Sequence, residues 1–541
     1  MKKSLIAFTC LLFAVMGVFA QQQKYYRVQV FANEKGLQRL SSLGVTIDHG
    51  ESKKGEYFIS DFSEEELGII KRTGFQYKVL INDVSAYYVS RNSINDKTDE
   101  TTETVAACTT YTTPLNFKYG SMGGFYTYTE MLAALDKMAV KYPNLITVKQ
   151  VVSNTLTTAQ GRPLYYVKIS DNPNADENEP KILYTALHHA REPISASQLV
   201  FYMWYILENY NTSSYIKSLV DSTEMFFIPC LNPDGYIYNQ TTNPAGGGLW
   251  RKNRRVNGGG SFGVDLNRNY GYNWGYDNVG SSSSSSSDTY RGPSAFSEPE
   301  TQMVRDFCNA HPFYFSLNNH SYANVLIYPY GYKVNTYTPA PDSLTFKNDA
   351  IRLAQCNGFV TGTPNQTVGY IVNGSSDDWM YGEQTTKAKI FALTPETGTS
   401  TDGFWPKKKR IIPMSQANMD MNLTAAQFTK ESVFPPAAVA AVTGIDNIAA
   451  GRQLSITALS NAPNPCNSYT YITYQAAKTV NSQTLRLDIF NASGTKVQSV
   501  KLNTGQAKVL VNTAALKAGI YYYSISDGKN KSGIAKLVVV K

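Results

Sequence analysis

Near the start of the chain, apolar and polar positions alternate with a period of two over short runs, then switch to helical spacing. Tyr25–Phe31, Glu56–Ile59 and Phe75–Ile81 read as strands. Glu34–Leu43 and Ser63–Thr73 read as helices, and Ser63 with Glu66 forms a capping box at the start of the second. Together these elements predict a small α/β unit. From Arg91 to Thr104 the chain is polar and acidic without apolar periodicity, the pattern of a linker open to proteolysis.

From near Tyr111 to near Val433, strands and helices take turns. Thr129–Val140 is a helix ended by Tyr142-Pro143. Lys181–Leu187 is a strand, Ile194–Asn209 an amphipathic helix, and Phe313–Leu317 and Ile390–Leu393 are short strands. Ser297 and Glu300 stand in capping-box spacing before a further helix. This order predicts an α/β fold with a mixed, largely parallel sheet flanked by helices. From about Gly444 the pattern becomes all-β. Short strands at Leu485–Phe490, Ala507–Asn512, Ile520–Ile525 and Ala535–Val540 are separated by Asn-Ala-Ser-Gly and Ser-Asp-Gly turns, which suggests a sandwich.

The length of 541 residues suits three or four folded units, and 42% hydrophobic against 17% charged residues predicts packed cores, not disorder. Lys2 and Lys3 before the apolar run Leu5–Phe19, with Val18-Phe19-Ala20 behind it, read as a secretory signal. No other stretch is long enough to span a bilayer. The boundaries drawn are 1–20 for the signal, 21–108 for the first unit and linker, 109–435 for the main domain and 440–541 for the sandwich.

The net charge is +8, yet residues 438–541 hold eleven Lys/Arg against three Asp/Glu, so the tail carries the whole excess. A basic nucleic-acid-binding face on the main domain is therefore not expected. Five cysteines follow the leader: Cys108, Cys230, Cys308, Cys356 and Cys466. Cys230 reads as an inert core residue, and one disulfide among the rest suits an exported protein, its pairing not legible. The serine run Ser281–Ser287 reads as a flexible surface loop, and Lys407-Lys408-Lys409-Arg410 as a solvated loop.

Chemistry enters at His188-His189-Ala190-Arg191-Glu192-Pro193, where a strand ends. The chain has five histidines, and two of them stand beside this glutamate. A His-x-x-Glu pair with a distant histidine, available at His320 in Asn319-His320-Ser321-Tyr322, is the donor set of a catalytic zinc with one open position. Such an ion needs a base for its water. Glu396, after the Ile390–Leu393 strand, is placed for that work. Trp250-Arg251-Lys252-Asn253-Arg254 offers guanidinium groups for an oxyanion. Asn267-Arg268 suits two-pronged capture of a carboxylate. These candidates follow the C-terminal ends of strands, where open α/β sheets place their ligands.

With these motifs in order, the chain resembles the zinc metallocarboxypeptidases of the carboxypeptidase A/B (funnelin) family over roughly residues 111–430. The resemblance implies one zinc per catalytic domain on His189, Glu192 and His320, with His188 not a ligand. It implies Glu396 as general base and acid, and Arg254 as the oxyanion donor. Asn267 and Arg268 would grip the substrate's C-terminal carboxylate, Tyr370 would close over it, and Arg191 and Tyr322 would line subsites further along the peptide. Asp377 takes the floor of the specificity pocket, which favours C-terminal Lys or Arg. One departure is Pro395-Glu396-Thr397, where mammalian members usually carry Phe-Glu-Leu.

Residues 21 to about 108 stand where such enzymes carry an inhibitory activation domain. The tail resembles the sorting domain of the Por (type IX) secretion system through Asn461-Ala462-Pro463-Asn464-Pro465, Ala518-Gly519-Ile520-Tyr521-Tyr522 and Lys536–Lys541. The expected product is a secreted or cell-surface enzyme whose partners are peptide C-termini and the secretion machinery. Two rivals stand beside it: a cell-wall peptide amidase on the same fold, and a non-catalytic surface binding protein. The sequence leaves structural calcium open.

Overall fold

The structure is a computed structural model that describes residues 23–53, 55–92, 108–433, 456–462, 464, 466–476, 484–491, 495–502, 508–527 and 535–540. The expected signal and most of the expected linker lie outside the described residues, as do Pro463, Pro465 and Lys541 of the expected sorting marks. The chain forms two compact units, 1–438 and 439–541.

At the front of the first unit, four antiparallel strands lie in the order Glu51–Lys53, Tyr57–Ser63, Tyr25–Val30 and Tyr77–Ile81. Helices Glu34–Ser42 and Glu64–Thr73 cover one face over Val28, Val30, Leu40, Phe58, Phe62, Leu67 and Ile70. The capping box forms: Ser63 Oγ accepts from Glu66 N, and Ser63 N donates to Glu66 Oε2. The other oxygen of Glu66 accepts from Thr46 N at 2.7 Å, which fastens the loop between the first helix and the second strand.

The main sheet has eight strands, in the order Val360–Gly362, Val325–Ile327, Phe391–Glu396, Phe313–Asn319, Lys181–Ala186, Glu224–Ile228, Tyr165–Ile169 and Gln150–Val151. The four central strands, from Phe391–Glu396 to Glu224–Ile228, are mutually parallel. Nearly all of their residues are buried because both faces are covered, and the interior of each strand is mostly apolar. Ile182, Tyr184 and Ala186 face one core and Leu183 the other.

Helix Pro193–Asn209 departs from the amphipathic expectation, since nearly all of its residues are buried. Its polar groups find partners inside: Ser195 Oγ donates to Glu192 O, and Gln198 Nε2 to Asn319 Oδ1 at 2.8 Å. The capping box expected at Ser297 and Glu300 does not form. Glu298 is the N-cap of helix Pro299–Ala310, while Ser297 Oγ donates to the Glu298 carboxylate.

Two loops differ from expectation. Ser281, Ser282 and Ser287 are buried beneath the front domain, and Ser287 Oγ donates to Gly44 O at 2.8 Å. Lys408, Lys409 and Arg410 open helix Lys408–Ala417, with Arg410 paired to Asp402 at 3.0 Å. Cys230 is buried and free.

The second unit pairs a three-stranded sheet (Ile456–Ala462, Tyr469–Ala476, Lys508–Asn512) with a four-stranded one (Lys496–Lys501, Arg486–Asn491, Gly519–Ser526, Ala535–Val539). Ile472, Tyr474, Val511, Leu487, Ile489, Tyr523, Ile525 and Leu537 share one core, as in a sandwich.

A disulfide joins Cys108 to Cys356 across 248 residues. It pins the chain where the acidic linker enters the main domain. Cross-linking so long a loop chiefly restricts the unfolded chain, so Cys356→Ser should cost about 2–4 kcal/mol. Urea unfolding reads this as a lower midpoint, and an unmoved midpoint would show that the bridge does not constrain the unfolded state.

Candidate active site

Strands Lys181–Ala186, Phe313–Asn319 and Phe391–Glu396 are parallel neighbours, so their C-terminal ends meet at one edge of the sheet. After the first of these, Leu187 turns with φ 56°, a left-handed conformation at a non-glycine residue, and aims the next two side chains to different sides. His188 Nε2 lies 3.0 Å from Tyr270 Oη, and its ring stacks on His320 outside the donor cluster. His189 turns inward. Its Nδ1 is 2.7 Å from Glu192 Oε1, His320 Nδ1 is 2.9 Å from Glu192 Oε2, and the two Nδ1 atoms are 3.1 Å apart. All three side chains are buried.

Two imidazole nitrogens and a carboxylate that converge in this way match the donor chemistry of a catalytic zinc. His189 Nε2 faces Asp265 Oδ1 at 3.2 Å, which directs Nδ1 toward the cluster. Glu192 caps helix Pro193–Asn209 without a side-chain bond, and that leaves its carboxylate to the histidines.

Glu396 ends its strand beside His320. His320 N donates to Pro395 O at 2.9 Å, and Thr397 N to His320 O at 3.0 Å. These backbone bonds hold the candidate base next to a candidate ligand. Glu396 Oε2 is buried without a hydrogen-bond partner.

Arg251 lies in the cleft. Its Nε donates to Asp265 Oδ2 at 2.9 Å. Arg254 does not enter. Its guanidinium sits over the rings of Tyr238 at 3.9 Å and Trp250 at 4.4 Å. This corrects the expectation that Arg254 is the oxyanion donor. Arg251 O accepts from Ala190 N, so residue 251 abuts the ligand segment, and three residues later the chain has turned into an aromatic cage.

Asn267 and Arg268 also face the cleft, and Asn267 Oδ1 accepts from Ser376 N at 2.9 Å. Arg191 lies over the Phe404 ring at 4.2 Å, and Tyr322 packs on the same ring. Tyr370 and Asp377 line a cavity of about 30 Å³ together with Arg268, Ile327 and Thr394. Asp377 belongs to the first turn of helix Ser376–Gly382, as does Asp378. Asp378 turns to Gly331 N and Tyr332 N, whereas Asp377 faces the cavity. Burial pushes the Asp377 carboxyl above its usual range.

Three residues at the site went unread in the sequence, Asp48, His49 and Asp265, while Arg251 was read only as one of the guanidinium groups of the Trp250–Arg254 segment. The first two come from the front domain. Asp48 Oδ2 lies 2.6 Å from Arg251 Nη2 and accepts from Arg268 Nη2 at 2.9 Å. Burial alone would raise the Asp48 carboxyl, but Arg251, His49 and Arg268 hold it well below its usual range. Asp265 is held down against burial by Arg251 and Arg268 in the same way. The available signals were the adjacency of Asp48 to one of five histidines, and the acid two residues before Asn267.

Residues 131–421 match the zinc carboxypeptidase family, and residues 462–540 match the secretion system C-terminal sorting domain. The chain is 33% identical over 306 residues to a zinc carboxypeptidase of Saccharothrix mutabilis subsp. capreolus, covering 54% of this chain and 67% of that protein. It is 29% identical over 440 residues to zinc carboxypeptidase A 1 of Drosophila melanogaster, covering 78% and 97%. The solved carboxypeptidase A of Helicoverpa armigera superposes with a TM-score of 0.58 at 25% identity, covering 77% and 99%. The family match spans more than half of the sequence and agrees with the fold, so the chain belongs to the zinc carboxypeptidase family and carries a secretion sorting domain behind its enzyme.

Proposed function

We propose that this chain is the precursor of an exported carboxypeptidase that releases Lys or Arg from the C-termini of peptides and proteins. One observation carries the reading: Asn267, Arg268 and Tyr370 line the same cavity as the carboxylate of Asp377. A terminal carboxylate seated on Arg268 would have an acid within reach of its own side chain.

Zinc held by His189, Glu192 and His320 would polarise the scissile carbonyl and acidify the attacking water. Arg268 would take the terminal carboxylate in a two-pronged grip beside Asn267. Tyr370 would close over it. Arg251, in place of Arg254, would donate to the carbonyl oxygen as that atom gains charge. Glu396 would take the proton of the water and deliver it to the leaving amine. Arg191 and Tyr322 would line subsites further along the peptide.

A cell-wall amidase has no need of Asn267, Arg268 and Tyr370 around a free carboxylate, and a binding protein has no need of a base beside the metal. Asp48 supports a latent precursor, because it occupies both arginines that the substrate would use. Removal of the front domain by a cut in the Arg91–Cys108 region would free them. The basic leader and the sorting domain support export.

Glu396→Gln should retain zinc and lose about 10²–10⁴-fold in kcat, the range of general-base catalysis. A variant that keeps more than about a tenth of kcat would move the base elsewhere.

Asp377→Ala should collapse kcat/KM on substrates ending in Arg or Lys and spare those ending in Leu. A broken buried charge pair costs about 2–5 kcal/mol, or roughly 30- to several-thousand-fold. The ionised carboxylate is the form that pairs with a cation, and burial raises its pKa. Acidification should therefore lower the Arg-to-Leu ratio of the wild type at a pH above the usual aspartate range near ~3.9. That ratio should stay flat in Asp377→Ala. An unchanged ratio between the two proteins would assign Asp377 to the helix alone.

Asp48→Ala should weaken docking of the front domain, because two buried guanidinium groups lose their carboxylate. The intact precursor variant should turn over a small C-terminal substrate about tenfold or more faster than the wild-type precursor. Wild-type precursor already as fast as the processed enzyme would refute latency.

A further inference from the structure

His49 reaches deeper into the site than Asp48. Its Nε2 is buried, has no hydrogen-bond partner, and lies 3.8 Å from Glu192 Oε1 and 3.7 Å from Glu396 Oε2. That is the space between a candidate ligand and the candidate base, where the reactive water would stand. Its other ring nitrogen, Nδ1, lies 2.9 Å from Asp48 Oδ1. A carboxylate behind an imidazole is the arrangement that orients metal-binding histidines, and Asp265 stands behind His189 in the same relation.

We propose that in the precursor His49 Nε2 takes the coordination position of the reactive water, as a fourth donor to the zinc on His189, Glu192 and His320. The proposal rests on the zinc reading of those three residues. Three protein donors leave a catalytic site open, while four make it the closed, structural kind. The front domain thereby shuts the site twice: Asp48 fills the carboxylate seat, and His49 excludes the water.

The loop is built to hold this imidazole in place. Asp48 is clamped by Arg251 and Arg268 through its second oxygen, so the Asp48–His49 pair has no slack. Thr46 N donates to Glu66, and His49 O accepts from Ser60 Oγ at 2.5 Å. Gly50 has φ 155°, and a Cβ there would run into the Ile59 carbonyl oxygen, so the loop lies flat against its own sheet. On the far side the ring packs on Phe404 at 5.2 Å and Tyr322 at 5.8 Å.

The test compares full-length precursor with processed enzyme, both loaded with zinc or cobalt(II). X-ray absorption of the zinc forms should count three imidazoles in the precursor and two after removal of the front domain. The visible spectrum of the cobalt forms should change on processing. Zinc release to a chelator should be about tenfold or more slower from the precursor. His49→Ala precursor should show the two-imidazole spectrum and the faster release, and the wild-type comparison needs no variant to fold. Two imidazoles in both wild-type forms, with equal release rates, would overturn the proposal and reduce His49 to a plug beside Glu396. Absence of zinc from both forms would instead overturn the zinc reading of His189, Glu192 and His320 on which it rests.

Discussion

Three parallel strands that end together make the rest of this site attainable. Lys181–Ala186, Phe313–Asn319 and Phe391–Glu396 are hydrogen-bonded side by side in register, so the residues that leave their C-terminal ends arrive at one place. His189 and Glu192 come from the first, His320 from the second and Glu396 from the third. Backbone bonds between His320 and the Pro395–Thr397 segment then hold the strands of the candidate ligand and the candidate base together past the end of the sheet. The histidines and the glutamate need no close sequence neighbours, because the sheet supplies their alignment.

That alignment brings charge into the interior, and the interior tolerates it only when it is paired. Asp265 serves two masters: one oxygen faces His189 and the other accepts from Arg251. The candidate metal ligand and the proposed oxyanion donor are therefore positioned by the same carboxylate. Arg251 and Arg268 share the cleft, and an anion is required between them. In this structure Asp48 is that anion, and in the proposed processed enzyme it would be the end of a peptide. The contact of Asp48 and the contact proposed for a substrate carboxylate thus answer a single electrostatic requirement.

The front domain reaches the cleft through a loop, while Tyr25 of its sheet and Tyr88 of its last helix join the core of the main domain. Glu66 caps its own helix and also fastens Thr46, so helix stability and loop placement depend on one side chain. The buried end of the serine run receives Gly44 from the same loop. A segment whose composition suggests a mobile linker is thus part of the docking surface, since small hydroxyls pack closely and satisfy backbone carbonyls.

Much of this was legible in the sequence, because it is local. Period-two and helical spacing located several of the strands and helices of both units, and the Ser63–Glu66 box formed as read. His-x-x-Glu with a distant histidine named a donor set that the fold brings together. Other features depend on which side chain faces which across the fold, and spacing does not carry that information. Arg251 and Arg254 are equivalent on paper, and only the fold separates them, by setting Arg251 against Asp265 and Asp48 and Arg254 against the rings of Tyr238 and Trp250. The pairing of Cys108 with Cys356, the burial of the serine run, and the helix opened at Lys408 depend on surfaces remote in sequence. The same holds for Asp48 and His49, whose neighbours in the cleft, Arg251, Arg268, Glu192 and Glu396, lie more than a hundred residues away. Sequence determined the chemistry this protein carries, and tertiary structure decided which copies of each group meet, because charge pairing and burial act between parts of the chain that only the fold makes neighbours.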